Sequence, residues 1–449
     1  MKTSTAWKRR PRGNVDHVER YISPGSDRRG VRSFASVYGE DLERFTEELL
    51  RFRSTSGQEL AAQNWFEDRL ADLGFETYRW DVDAKALATI DSFPAAAEID
   101  AADRPGVAGV LEFGDPDAGP TVVLNGHVDV VPVDESSWET DPFEPHWEDG
   151  TLTARGAADM KTNLALLVFV AKWLHDEHRD DLDGRLVVES VTGEEEGGIA
   201  APAAALSNPY PFERDAAIVT EPTDFDVVTA TAGVLMKELT VHGRSAHAAT
   251  RWRGESALVH FERIHRALRD LEAERHDRLE HPLYDYPINC PMNVGTAQVG
   301  DWVSNVPATA TAQFRIGFLP GETLEEVERE YEDRLEAVVA DDEWLSAHPP
   351  SFERRSIHFE PSEQDPDAPI VRAMQSALGE AGYEDVEPVG KTYSSDSRFY
   401  IEAGIPTVIF GPGTIDQAHF PNESIEWDDV LAAGDVIASA CRRFLAGET

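Results

Sequence analysis

The segment Asn125-Gly126-His127-Val128-Asp129-Val130-Val131-Pro132 places an imidazole and a carboxylate two residues apart. It follows Thr121-Val122-Val123-Leu124, an apolar β-branched run that predicts a buried strand. In an extended segment residues two apart share a face, so the Asp129 carboxylate can hold one ring nitrogen of His127 while the other faces a metal. That is half of a metal site, set at a strand's carboxyl end, where open α/β sheets carry their sites. Four further positions supply the rest. Asp159 follows a glycine-bearing turn, Glu194-Glu195 closes a strand, Glu221 ends another just before Pro222, and His419 lies in Gln417-Ala418-His419-Phe420-Pro421-Asn422-Glu423. With 84 acidic residues in 449, no one of these stands out alone. Together they make two histidines and three carboxylates, the set that two zinc-like ions need when one carboxylate bridges them. The remaining glutamate of the adjacent pair is then free to act as general base on water.

The elements that must position these groups follow from periodicity. Leu42, Phe45, Leu49 and Phe52 stand at helical spacing, with order beginning near Phe34, and a second helix runs through Trp65 and Leu70 to Leu73 and ends on Gly74. The apolar stretch from Asn163 to Trp173 suits a buried helix. Strands are predicted at Leu186 to Val191 and Ala216 to Val219, and this alternation indicates an α/β domain with a largely parallel sheet. Between about Gly233 and Pro361 the pattern changes to strand (Val234 to Val241), helix (Ser256 to Leu271), strands (Val294 to Val299, Ala308 to Ile316), helix (Thr323 to Val339) and strand (Phe352 to Phe359). That β-α-β-β-α-β order is the ferredoxin-like arrangement. The first domain then resumes with a helix from Ala368 to Leu378, a strand from Thr407 to Phe410 and a closing helix from Trp427 to Leu445. The expected organisation is a basic disordered extension over residues 1–35, a catalytic domain over 36–232 and 362–449, and an inserted domain over 233–361.

Composition narrows the partners. The chain carries 41 basic residues against 84 acidic ones, a net charge of −43, and only 7 lysines. So acidic a surface repels itself unless salt screens it, which points to a halophilic host and away from nucleic acid or an anionic membrane as partner. No apolar run approaches membrane-spanning length. Arg9-Arg10 has no apolar core behind it to make an export signal, so a cytoplasmic protein is expected. Cys290 and Cys441 fall outside any ligand spacing and read as buried small hydrophobes.

From about residue 38 to the C-terminus, these residues resemble the zinc metallohydrolases that include aminoacylase, acetylornithine deacetylase, succinyl-diaminopimelate desuccinylase and carboxypeptidase G. The resemblance implies a catalytic domain of the zinc-exopeptidase kind with an inserted ferredoxin-like dimerisation domain. It implies two divalent ions, Zn2+ with Co2+ able to substitute, one held by His127, Asp159 and Glu221, the other by Asp159, Glu195 and His419. Asp129 would orient His127 and Glu194 would be the base. Glu-Glu-x-Gly-Gly, ending in Gly197-Gly198, sets that register within Glu194-Glu195-Glu196, although Gly193 stands where the family has Asp and Thr162 where it has Gly. By the same resemblance, His247 in Gly243-Arg244-Ser245-Ala246-His247 reaches a partner subunit's site and polarises the scissile carbonyl. Asn305 contacts substrate, Arg315 grips its carboxylate, and Gly411 and Gly413 approach that carboxylate. The implied function is hydrolysis of an N-acyl amino acid by a homodimer. A dipeptidase or carboxypeptidase is the enzymatic alternative, acting on short peptides, and a non-catalytic binding protein on the same fold the alternative of another class.

Overall fold

In the computed structural model, which describes residues 33–383 and 386–448, the expected basic extension lies outside the described residues as far as residue 32. Ser33 caps the first helix, Phe34–Leu50, by accepting from the Ser36 N–H, and Leu42, Phe45 and Leu49 are buried along one face.

Among the described residues the larger sheet has nine strands. Across it run Glu76–Trp80, Gly106–Phe113, Gly184–Val191, Thr121–His127, Ala216–Val219, Thr407–Ile409, Val228–Thr231 and Ser362–Glu363, with Val389–Lys391 also paired to Val228–Thr231. The four central strands are mutually parallel. The flanking pairs are antiparallel except for Val389–Lys391, which runs parallel to Val228–Thr231, so the expectation of a largely parallel sheet holds for the centre and that one outer pair. Periodicity misses Gly106–Phe113 because it carries glycines where ring atoms need the room. A Cβ at Gly106 would lie 2.1 Å from the Trp80 ring.

Every residue of Thr121–His127 is buried, since helices cover both faces. Val122 and Leu124 face the helices Phe34–Leu50, Lys161–His178, Pro369–Glu380 and Trp427–Leu445. Val123 faces Ala200–Ser207 and Ser397–Glu402. The register places His127 opposite Val191, and Asn125 opposite Val219. The loops carrying Glu194-Glu195 and Glu221 therefore leave the sheet on either side of His127.

A second sheet has the order Met292–Val299, Thr309–Phe318, Gly233–His242, Ser351–Arg354, all antiparallel. The helices Ala257–Arg278 and Leu324–Ala340 pack on it, which is the ferredoxin-like arrangement. Its last strand is shorter than expected. Ser356 turns left-handed at φ +62°, and pairing returns only as a bridge between Val234 and Phe359. A third, small sheet joins Ser424–Glu426, Thr151–Thr153 and His146–Glu148, tying the C-terminal segment to the turn before Asp159. Cys290 and Cys441 are free and buried. No helix among the described residues is long and apolar enough to cross a membrane.

Candidate active site

His127 is the last residue of its strand and almost wholly buried. Its Nδ1 donates to the main-chain carbonyl of Asp129 at 2.9 Å, which turns Nε2 to within 3.2 Å of Asp159 Oδ1 and 4.0 Å of Glu221 Oε2. The other Asp159 oxygen, Oδ2, lies 3.5 Å from His419 Nε2, which lies 2.8 Å from Glu195 Oε2. Two groups that could each hold a metal ion result, His127 with Asp159 and Glu221, and Asp159 with Glu195 and His419. Within each group the ligand atoms lie within 4.8 Å of one another. Asp159 belongs to both and offers one oxygen to each.

Asp129 differs from the sequence expectation. Its carboxylate is 3.7 Å from His127 Nδ1, beyond hydrogen-bond distance. It accepts instead from the N–H groups of Gly193 at 2.8 Å and Glu195 at 3.1 Å. The strand ends at His127, so the shared face of an extended segment does not reach Asp129. The side chain instead braces the next loop, while its carbonyl orients the imidazole.

That loop sorts the three consecutive glutamates. Glu194–Glu196 form one 3-10 turn between Gly193 at φ +77° and Gly197 at φ +112°. With three residues per turn, successive side chains point in three directions. Glu195 goes to His419, and Glu196 pairs at 2.6 Å with Arg104, which is itself held at 2.6 Å by buried Glu59. Glu194 is left facing Glu221 and His127, the charges that act on it most strongly. Gly193 explains its own departure from the family pattern, since a Cβ there would sit 2.2 Å from Ile199 Cγ1.

Sequence reasoning missed two supports. Glu423, fully buried, accepts from Arg155 at 2.6 Å and from the N–H groups of Gly156, Ala158 and Asp159 at 2.8 to 2.9 Å, so it shapes the turn that presents Asp159. Arg104 fixes Glu196, as above. Neither has a local signature beyond an arginine or glutamate beside a turn.

The electrostatics call for positive charge. Burial and neighbouring carboxylates raise the proton affinity of Glu194, Glu195 and Glu221. Burial opposes protonation of His127, but Asp159, Asp129 and Glu221 outweigh it and raise its pKa. Burial also pushes Asp396, beside this group, up to about 7. Glu221 Oε1 and Asp396 Oδ2 are buried without a hydrogen-bond partner among the described residues. Oxygen and imidazole donors in two such groups fit two divalent ions.

The other predicted residues belong to neither group. Arg315 stands on Thr309–Phe318, largely buried, and its guanidinium donates to the Thr392 carbonyl at 3.3 Å, on the loop that leads to Asp396. Gly411 packs where a Cβ would meet the Glu221 carbonyl at 2.6 Å. Gly413, at φ +82°, accepts from the Asp224 N–H at 2.8 Å. Both glycines thus have a visible packing role. His247 and Asn305 pair with each other as an antiparallel bridge on the second sheet's loops. No hydrogen bond or ion pair among the described residues joins them to the ligand groups.

Paired histidine and carboxylate groups at the carboxyl edge of an α/β sheet are the site of a two-metal hydrolase. The model of peptidase family M20/M25/M40 matches residues 123–443, and the chain belongs to that family. It is 30% identical over 340 residues, 72% of this chain and 78% of that protein, to N-formyl-4-amino-5-aminomethyl-2-methylpyrimidine deformylase of Halalkalibacterium halodurans. It is 29% identical to acetylornithine deacetylase of Edwardsiella ictaluri, over 72% of this chain and 80% of that protein. Among solved structures the dipeptidase Dug1p of Saccharomyces cerevisiae superposes with a TM-score of 0.73 at 14% identity, over 92% of this chain and 97% of that one. The YXEP protein of Bacillus subtilis, a dinuclear metal-binding peptidase of family M20, superposes with a TM-score of 0.59 at 16% identity, over 92% and 99%. These likenesses bear on the fold.

Proposed function

We propose that the protein is a two-zinc deacylase that cleaves the amide bond of an N-acyl amino acid, in the manner of acetylornithine deacetylase or succinyl-diaminopimelate desuccinylase. The observation that carries this is Asp159, whose two oxygens face the two histidine groups. The names of the relatives near 30% identity, a deformylase and a deacetylase, favour an acyl group over a peptide. In this reading His127, Asp159 and Glu221 hold one ion, and Asp159, Glu195 and His419 the other. Two such ions would polarise the amide carbonyl and acidify the attacking water. Glu194, left out of both groups, takes the water's proton and passes it to the leaving amine. Arg315 binds the substrate carboxylate, and the loop of Gly411 and Gly413 closes against it.

The same reading makes the protein a homodimer through the second sheet's domain, with His247 and Asn305 contributed across the interface. Trp252, Trp302, Val303 and Val259 are each 60% or more exposed close in sequence to those two residues. Large exposed apolar groups concentrated in one region mark a contact surface. The strand Met292–Val299 is a sheet edge that lies largely open beside them.

The test is hydrolysis by purified, metal-loaded protein in molar salt. The panel is N-acetylornithine, N-succinyl-diaminopimelate, other N-acyl amino acids, the N-formyl aminopyrimidine and dipeptides. Cleavage of N-acyl amino acids that is abolished by chelation and restored by zinc or cobalt is expected. Cleavage of dipeptides alone would make it a peptidase, and full activity without metal would overturn the mechanism.

A further inference from the structure

A cavity of about 280 Å3 adjoins the two candidate metal groups. Tyr393 lines it together with Pro222 and Thr223, which follow Glu221, and with Thr414 to Asp416, which lead toward His419. The tyrosine is only partly buried as a residue, but its hydroxyl oxygen is enclosed. The ring therefore walls the cavity while the hydroxyl points away from its mouth. Burial raises the hydroxyl's pKa, and so, in falling order, do Glu221, Tyr286, Asp159 and Asp226. It lies, then, within the field of Glu221 and Asp159, the two carboxylates of the His127 group.

This hydroxyl has no hydrogen-bond partner among the described residues, and neither has Glu221 Oε1. Buried polar atoms are seldom left unpaired, and a phenol has one proton to give. The backbone that carries it is pinned on two sides. The Ala232 N–H is shared between the carbonyls of Lys391 at 2.9 Å and Tyr393 at 3.1 Å, and the Thr392 carbonyl accepts from Arg315 at 3.3 Å. Tyr393 thus stands on the loop that joins the arginine proposed for the substrate carboxylate to the carboxylates proposed for the metals. An amino acid held by Arg315 presents its amide to those carboxylates. The amide atom that accepts hydrogen bonds, and accepts them more strongly as water adds, is the acyl oxygen.

We propose that Tyr393 is a catalytic residue of this site, its hydroxyl donating a hydrogen bond to the acyl oxygen as that oxygen gains negative charge. The inference rests on the deacylase reading and deepens it. It supplies a donor from within the chain, beside His247, which that reading brings across an interface.

The test is Tyr393→Phe, which removes one oxygen and changes no carbon of the side chain. A hydroxyl with no bond inside the protein is dispensable for folding, so the variant should hold two ions per chain and melt no lower than the parent. Turnover of N-acetylornithine should fall on the order of 10²–10³-fold, in kcat rather than KM, as when an oxyanion donor is lost. Against N-thioacetylornithine, whose sulfur is the weaker acceptor, the loss should be about tenfold smaller. Calorimetry on the metal-loaded protein gives a readout free of turnover. Its probe is the methylphosphinate isostere of N-acetylornithine, with phosphorus in place of the acyl carbon and a methylene in place of the nitrogen. The isostere should bind the variant about tenfold or more weakly than the parent, while ornithine binds both alike. Unchanged turnover and isostere binding overturn the assignment and leave the deacylase reading intact. An equal loss on amide and thioamide, or lost metal or stability, overturns it too by making the hydroxyl a structural group. Isostere binding that depends on Tyr393, in a protein that cleaves no N-acyl amino acid, supports the assignment and overturns the deacylase reading.

Discussion

Replacing Glu423 by Gln tests whether the C-terminal segment holds the turn that presents Asp159 in shape. One oxygen, Oε2, takes the Arg155 guanidinium at 2.6 Å and the Gly156 N–H at 2.9 Å, while Oε1 takes the N–H groups of Ala158 at 2.8 Å and Asp159 at 2.9 Å. A glutamine keeps one oxygen, so its amide nitrogen must face two donors whichever way it is turned. Removing one partner of a buried ion pair costs about 3–5 kcal/mol. The unpaired N–H groups would each cost about 1–3 kcal/mol, overlapping with that loss, so a net destabilisation of about 3–5 kcal/mol is expected. Denaturant melts of metal-free protein in molar salt read this directly. Because the Asp159 N–H is among the donors and its carboxylate faces both histidines, both ions should be lost together, as metal content after dialysis would show. Glu423→Gln protein as stable as the parent, with two ions per chain, would refute the reasoning. Lost stability with both ions retained would reduce Glu423 to a structural prop.

Three further outcomes follow from the same geometry. Glu194→Gln should keep its metal and lose turnover on the order of 10²–10⁴-fold, whereas Glu195→Gln should lose metal. Exchanged phenotypes would mean that Arg104 does not fix the register of the run. With a net charge of −43, melting temperature and activity should both rise from tenths molar to molar salt, and equal stability in dilute buffer would deny the acidic surface a halophilic role. Mixing inactive Glu194→Gln with inactive His247→Ala under demonstrated subunit exchange should restore part of the activity. An active monomer by sedimentation would place His247 outside its proposed role.

Three members of the candidate ligand set, His127, Glu195 and Glu221, were legible because each stands just past an apolar run, and such runs set their own register in a sheet buried on both faces. Thr121–His127, Ala216–Val219 and the closing helix Trp427–Leu445 could be read almost to the residue. Asp129 was misplaced by assuming that strand geometry continues past His127, where the chain has already turned. Glu423 and Arg104 were invisible for another reason. Their partners lie far away in the chain, Asp159 being 264 positions from Glu423 and Glu196 92 from Arg104, and in so acidic a sequence one more glutamate carries no signal. The antiparallel flanks of the large sheet escaped notice where glycine replaces the β-branched residues that would announce a strand.

The position of Thr407–Ile409 between Ala216–Val219 and Val228–Thr231 has a consequence for how the molecule is made. A chain emerging from the ribosome exposes both of those strand edges until the filler comes, some 180 residues later by the numbering of its partners. The ferredoxin-like unit, encoded wholly within that interval, has all its own strands and can fold meanwhile. The central sheet can only close last, so His419 reaches Asp159 and Glu195 near the end of synthesis. Until then the nascent chain presents clustered carboxylates and two open strand edges, the state in which aggregation and scavenging of the wrong cation are the hazards.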